Sequence, residues 1–181
     1  MKLYHGSYLT ITVPELSKCM DGKDFGKGFY LTSSKKQAER FVKSAVGKAL
    51  KNGSIAKQYG LGYVSVYEFE EIEGLNVYKF QTADESWLKC IAGHRRKGLF
   101  ESEIDKWSQY DIIIGKIAND TTNRILTNYI NGDFGSVSSK RAIDFAIDML
   151  MPEKLVDQVC FRTDKALACL KFIESYEVKF I

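Results

Sequence analysis

Segments with the two-residue rhythm of strands and segments with the 3.6-residue rhythm of helices follow one another irregularly along this chain. A regular strand–helix–strand alternation would point to a doubly wound parallel sheet, whereas irregular mixing points to an α+β fold. No repeat, low-complexity tract or Pro/Gly/Ser-rich linker interrupts the 181 residues, a length that suits one domain with its own core. The reading is a single α+β domain over residues 1–181.

Residues 2–6 read as a short strand ending at Gly6, and residues 8–27 as a loop. Gly28 to Thr32 reads as a second strand. Ser33 or Ser34 then caps a helix whose apolar stripe is Ala38, Phe41, Val42, Ala45, Val46 and Ala49. Further strands are expected at Tyr63 to Phe69, Asn76 to Phe80, Tyr110 to Gly115, from Gln158, and at the closing EVKFI. Helices are expected over 84–97, after Asn119 or Asp120, after Ser138 or Ser139, and from Thr163.

Charge narrows the function classes. The formal net charge is +3, too mild to imply a nucleic-acid binder by itself, although it leaves room for a local patch. The densest basic cluster, His94-Arg95-Arg96-Lys97, reads as a solvated helix end whose cations face the negative end of the helix dipole. Four cysteines without a Cys-x-x-Cys pair, and only two histidines, argue against a zinc site, so no metal is expected. Cys160 and Cys169 read as core thiols. With no signal peptide or membrane span in view, a reducing cytoplasm and no membrane partner are expected.

Three segments carry the chemistry: LYHGS (Leu3 to Ser7), FGKGFYLTSSKKQAERF (Phe25 to Phe41) and DQVCF (Asp157 to Phe161). Gly6 offers backbone that no Cβ shields, and His5 beside it can hydrogen-bond a hydroxyl. Gly26 and Gly28 let the chain turn tightly before the strand with Tyr30, and Tyr30 or Phe41 can supply a ring face. Each also has an ordinary role, since a histidine at a strand end more often serves structure than chemistry. From the residues alone, these segments indicate a ligand groove.

LYHGS is similar to the opening motif of the catalytic domain of poly(ADP-ribose) polymerases, and FGKGFYLTSSKKQAERF resembles, without a gap, their Phe-Gly-Lys-Gly segment and following helix. With YDIIIGKIAND and QVCFRTDKALACL, the chain also resembles a group of small bacterial proteins of the same ADP-ribosyltransferase superfamily. The resemblance implies a split mixed sheet with surrounding helices and NAD+ as co-substrate. It implies that His5 binds the adenosine ribose, Gly6 the nicotinamide carboxamide and Ser7 a ribose hydroxyl. Phe25, Gly26, Gly28, Tyr30 and Phe41 would line the nicotinamide pocket. Ala38 stands where the polymerases use a serine, so that hydrogen bond would be missing.

Gln158 stands where the polymerases keep their signature glutamate. An amide hydrogen-bonds a hydroxyl but takes no proton at neutral pH, so the resemblance implies single transfer and no chain elongation. Asp120 is the first candidate for a substitute acid, with a helix cap as its competing reading, and Asp24 is the second. The expected function is mono-ADP-ribosyl transfer to a protein or nucleic-acid acceptor, in a toxin or defence setting that adds an antitoxin or immunity partner. The alternatives are a non-catalytic NAD+- or ADP-ribose-binding module and an NAD+ glycohydrolase.

Overall fold

The computed structural model describes residues 1–56, 61–117, 120–151 and 155–179. Seven strands form one mixed sheet: β1 (Lys2–Ser7), β2 (Phe29–Thr32), β3 (Leu61–Phe69), β4 (Val77–Lys79), β5 (Ile112–Lys116), β6 (Asp157–Phe161) and β7 (Leu170–Lys179). Their spatial order is β4-β5-β6-β2-β1-β3-β7, with β4 and β5 parallel and every other neighbour antiparallel. Among the described residues six α-helices accompany them, α1 (Lys35–Lys51), α2 (Glu85–Arg95), α3 (Glu101–Ser108), α4 (Asp120–Asn131), α5 (Lys140–Leu150) and α6 (Asp164–Leu167). The fold is α+β, as the irregular alternation of periods requires.

Local chemistry starts the helices where the sequence places them. Ser34 accepts a hydrogen bond from the Gln37 N–H, Ser139 from Ala142 and Thr163 from Ala166, each satisfying a backbone donor that the first helical turn leaves open. Asp84 does the same for Trp87 at the start of α2. Gly132, at φ +84°, ends α4. α3 was not expected. Phe100, the residue just before it, sits in the left-handed region and offers no capping side chain, so the usual start signal is missing.

The sheet separates three apolar clusters. On one face, α2, α4 and α5 pack Trp87, Leu88, Ile91, Leu126, Tyr129 and Ile143 over β5 and β6, while α1 packs Val42 and Val46 over β3. On the other face, Leu3, Phe29, Tyr67, Val159 and Phe161 form a core closed by α6 and by Ile11 and Leu16 of the 8–28 connection. Strand alternation makes this division: Val159 and Phe161 face the second core, and Cys160 the first.

Phe41 departs from the expected helix stripe. Ala38, Val42, Val46 and Ala49 are buried, but Phe41 is 47% exposed on the flank of α1. Among the described residues, no helix is long and apolar enough to cross a membrane.

Candidate functional site

The sheet is nearly divided in two. β1 pairs with β3 along six residues but with β2 at a single position, Tyr4↔Thr32. On its other side β2 pairs with β6 over its full length, ending at Thr32↔Gln158. Thr32 therefore stands between Tyr4 and Gln158, and the three strands with the sequence-marked segments meet beside it. Its hydroxyl donates to the Asp157 carbonyl at 2.9 Å and accepts from the Ser34 N–H, tying the start of β6 to the start of α1.

His5 bridges the gap where the β1–β2 ladder lapses. Its Nδ1 lies 2.7 Å from the Tyr30 carbonyl. A carbonyl only accepts, so Nδ1 carries the proton, and in the neutral ring Nε2 remains an acceptor. Burial keeps the ring neutral by lowering its pKa, against the opposing pull of that hydrogen bond. The imidazole packs on Phe29 with ring centroids 4.5 Å apart.

That contact corrects the expectation, drawn from the two resembling segments, that His5, Gly6 and Tyr30 line one groove. The rings of His5 and Tyr30 do not share a groove wall. His5 and its cross-strand neighbour Ser65 belong to the face of Leu3 and Tyr67, whereas Tyr30 packs into the core beneath α2. The two residues touch through the Tyr30 backbone. The Tyr30 hydroxyl is committed as well, donating to the Gly26 carbonyl at 2.7 Å and accepting from the Phe25 N–H at 2.9 Å. Burial pushes its pKa well up, so it stays a neutral clamp on the turn.

That turn is built from glycines for two different reasons. Gly26 has φ +79°, and a Cβ there would come within 2.5 Å of the His94 ring. Gly28 has ordinary backbone, but a Cβ would stand 2.5 Å from Cys160 Sγ and 2.7 Å from the Phe161 carbonyl oxygen. Phe25, expected to line a ligand pocket, is instead fully buried and stacked near Phe80. Burial raises the Cys160 thiol to about 12, as expected of a core thiol.

Beside the turn lies a buried polar network. Gln158 donates from Nε2 to Asp24 Oδ2 at 2.8 Å and to the Lys116 carbonyl at 3.3 Å. Arg95 holds Asp24 and also reaches Asn123 Oδ1 at 2.7 Å. With both amide hydrogens assigned, Gln158 presents Oε1 as its remaining polar atom, an acceptor suited to a hydroxyl donor. Gln158 and Asp24 are 7% and 8% exposed, deep enough that an unpaired charge would be costly.

Arg95 is not the solvated cation that the sequence suggests, because its guanidinium is mostly buried against Asp24. Nothing in the helix pattern marks it, because its partner lies 71 residues away. Its neighbour Arg96 is occupied too, donating to the Ile130 carbonyl at 2.9 Å. Asp24, the second candidate for an acid, is the carboxylate brought against Gln158. Asp120 begins α4, and its side chain lies outside the described residues, as does Asn119.

Over β1, α1 approaches so closely that a Cβ on Gly6 would come within 2.2 Å of the Ala38 carbonyl oxygen. Gly6 thus serves close packing of helix on strand. Ser7 is buried. A separate cavity of about 680 Å³ opens between α2, α3 and the β4–β5 edge, lined by Tyr78, Asp84, Lys89, Glu103, Trp107 and Tyr110. Of the sequence-marked segments, only YDIIIGKIAND reaches it, through Tyr110. Among the described residues, no group of three His, Cys, Asp or Glu could hold a metal ion.

Residues 1–172 match a family model described as a protein of unknown function (DUF3990). The chain belongs to the DUF3990 family. No curated protein and no solved structure matches it. The family match runs from β1 into β7 and so takes in the Tyr4–Thr32–Gln158 junction and the Asp24–Arg95 pair of this DUF3990 chain.

Proposed function

We propose that this DUF3990 chain is an NAD+-dependent mono-ADP-ribosyltransferase that passes ADP-ribose to an acceptor and releases nicotinamide. The observation carrying the reading is the meeting of β1, β2 and β6 at Thr32, which collects His5, Tyr30 and Gln158 from positions far apart in sequence. In the reaction, the bond between nicotinamide and the ribose C1′ breaks, and its electron pair neutralises the pyridinium nitrogen. An acceptor atom bonds to C1′ and loses its proton. Gln158 Oε1 is an acceptor for a ribose hydroxyl, whose hydrogen bond strengthens as positive charge grows on the sugar, whereas His5 acts from the opposite face of the sheet by holding the Tyr30 backbone.

A second reading, a module that binds NAD+ or ADP-ribose without turning it over, draws on the committed state of these groups. The Gln158 amide hydrogens are internally satisfied, and Asp24 is tied to Arg95. Water as acceptor, giving NAD+ glycohydrolysis, needs no different groups. The proposed compartment is the cytoplasm, consistent with four unpaired cysteines, and the proposed setting is a toxin or defence effector with an antitoxin or immunity partner.

Incubation with adenylate-labelled NAD+ and a cell lysate, followed by protease and nuclease digestion, tests the reading. Label attached to macromolecule with nicotinamide release supports transfer, and nicotinamide release alone supports hydrolysis. Binding without release leaves the module. Absence of NAD+ binding sinks all three. Mass spectrometry of labelled acceptors is expected to find one ADP-ribose per site, because Gln158 offers no base to activate a second ribose hydroxyl.

A further inference from the structure

The chain as a whole is only mildly basic, but its charge is concentrated on one helix. α1 carries Lys35, Lys36, Arg40, Lys43, Lys48 and Lys51 against the single acid Glu39, a net +5 where the entire chain has +3. The rest of the protein is therefore net acidic by two. Lys36, Arg40, Lys43 and Lys51 are all exposed and fall at intervals of four, three and eight residues, one solvent-facing stripe of the helix.

This stripe is not explained by stability. Among the described residues, none of its four cations has a carboxylate within 4.0 Å, so no ion pair accounts for the row. The first turn of α1 holds Lys35 and Lys36 and no acid, against the direction favoured by the helix dipole. Glu39 is turned away, accepting a hydrogen bond from the Tyr176 hydroxyl. Gly47 lies on the same stripe, and open space surrounds the place a Cβ would take, so no packing demands a glycine there. It leaves bare backbone between Lys43 and Lys51. On the flank, exposed Phe41 has the Lys48 ammonium 5.8 Å from its ring centre.

We propose that the outer stripe of α1 binds the phosphodiester backbone of a nucleic acid. Lys36 to Lys51 span about 22 Å at ~1.5 Å per residue, matching the axial rise of roughly six phosphates on one strand of a duplex at ~3.4 Å each. A linear row of unpaired cations matches a linear polyanion, and the bare backbone at Gly47 lets the polymer lie close. An exposed ring beside the row offers a stacking surface to a base. A membrane is the poorer fit, because the apolar face of α1 is spent on the sheet and cannot insert. The surface is independent of NAD+, so its test stands apart from the activity proposed above.

The full chain, without NAD+, is titrated with fluorescent single-stranded DNA, RNA and duplex DNA oligonucleotides at rising salt. The polymer bound most tightly separates DNA from RNA. The variant Lys36→Gln/Arg40→Gln/Lys43→Gln keeps helix propensity and is expected to bind at least about tenfold more weakly. It should also lose about 2–3 from the slope of log affinity against log salt. The control Lys79→Gln/Lys106→Gln/Lys171→Gln removes the same charge from other exposed sites and should bind as the parent does. A parent without oligonucleotide binding, or with binding indifferent to salt, overturns the proposal. So do equal losses in the two triple variants, and so does equally tight binding of anionic vesicles or polyglutamate.

Discussion

Arg95 grips a single oxygen of Asp24 from two nitrogens, Nε at 2.9 Å and Nη2 at 2.6 Å. The other oxygen receives the Gln158 amide at 2.8 Å. One carboxylate thereby connects α2, the turn before β2, and the start of β6.

Arg95→Ala leaves Asp24 with its charge buried and its main partner gone. The expected cost is about 3–5 kcal/mol, and a fall in Tm on the order of 10 °C follows for a domain of this size. Urea denaturation measures it. The double variant Asp24→Asn/Arg95→Gln should recover part of the loss by removing both charges. A single variant with parental Tm would show the pair to be worth no more than an exposed one.

Gln158→Ala should cost about 1–3 kcal/mol, since Asp24 and the Lys116 carbonyl each lose a buried donor. NAD+ affinity and turnover should both fall, and a variant with unchanged NAD+ chemistry would remove Gln158 from the site. Gln158→Glu sets two carboxylates at hydrogen-bonding distance, raising one pKa of the pair in the folded state. The folded variant then holds a proton that the unfolded chain has released, so its stability should fall as pH rises through that raised pKa. Melting curves at pH 5 and pH 8 give the sign.

The parent protein should show the opposite slope. Burial lowers the pKa of both His5 and His94 below the ordinary 6.5. Below pH 6.5 the unfolded chain takes up protons that the folded chain refuses. The histidine contribution is therefore complete above that pH and is lost as pH falls toward the folded values, by at most about 1.4 kcal/mol per unit for each ring. Tm from pH 7.5 to 5 should drop, and His94→Asn should flatten part of the drop. A curve of unchanged steepness in that variant would exclude His94 as a contributor.

Two glycine substitutions should move stability in opposite directions. Gly47→Ala meets no atom and improves helix propensity, a gain of about 0.5–1 kcal/mol. Gly28→Ala drives a methyl into Cys160 Sγ and the Phe161 carbonyl, with a loss of about 1–3 kcal/mol or more. Paired urea titrations of the two variants test the contrast. A neutral Gly28→Ala would mean that β2 and β6 can move apart at little cost.

The sequence made the local elements legible because their signals are local. Ser34, Ser139 and Thr163 cap helices, and alternation in DQVCF sorts Val159 and Phe161 from Cys160. What escaped depended on other segments. Alternation within β1 or β2 says which residues share a face of that strand, but the relation between His5 and Tyr30 depends on inter-strand register. Arg95 looked like a helix-end cation because Asp24 is distant in sequence. The strand β7 begins at Leu170, seven residues before the expected EVKFI, because an edge strand with charges on both faces hides its period. Phe41 kept helical spacing with the core residues and still fell outside their arc.

The sheet order also determines when the protein can fold as it leaves the ribosome. β2 forms its long ladder with β6, and β3 its longest with β7, so each half of the sheet waits for a strand that follows residue 156. Until Asp157 to Lys179 has emerged, the nascent chain can pair β1 with β3 and β4 with β5, but it cannot close either core. Such late, long-range closure makes for slow folding and leaves the unpaired strands exposed in the meantime. A chain released before β6 could still seat α1 on β1 and β3, but it would lack the strand over which α2, α4 and α5 pack.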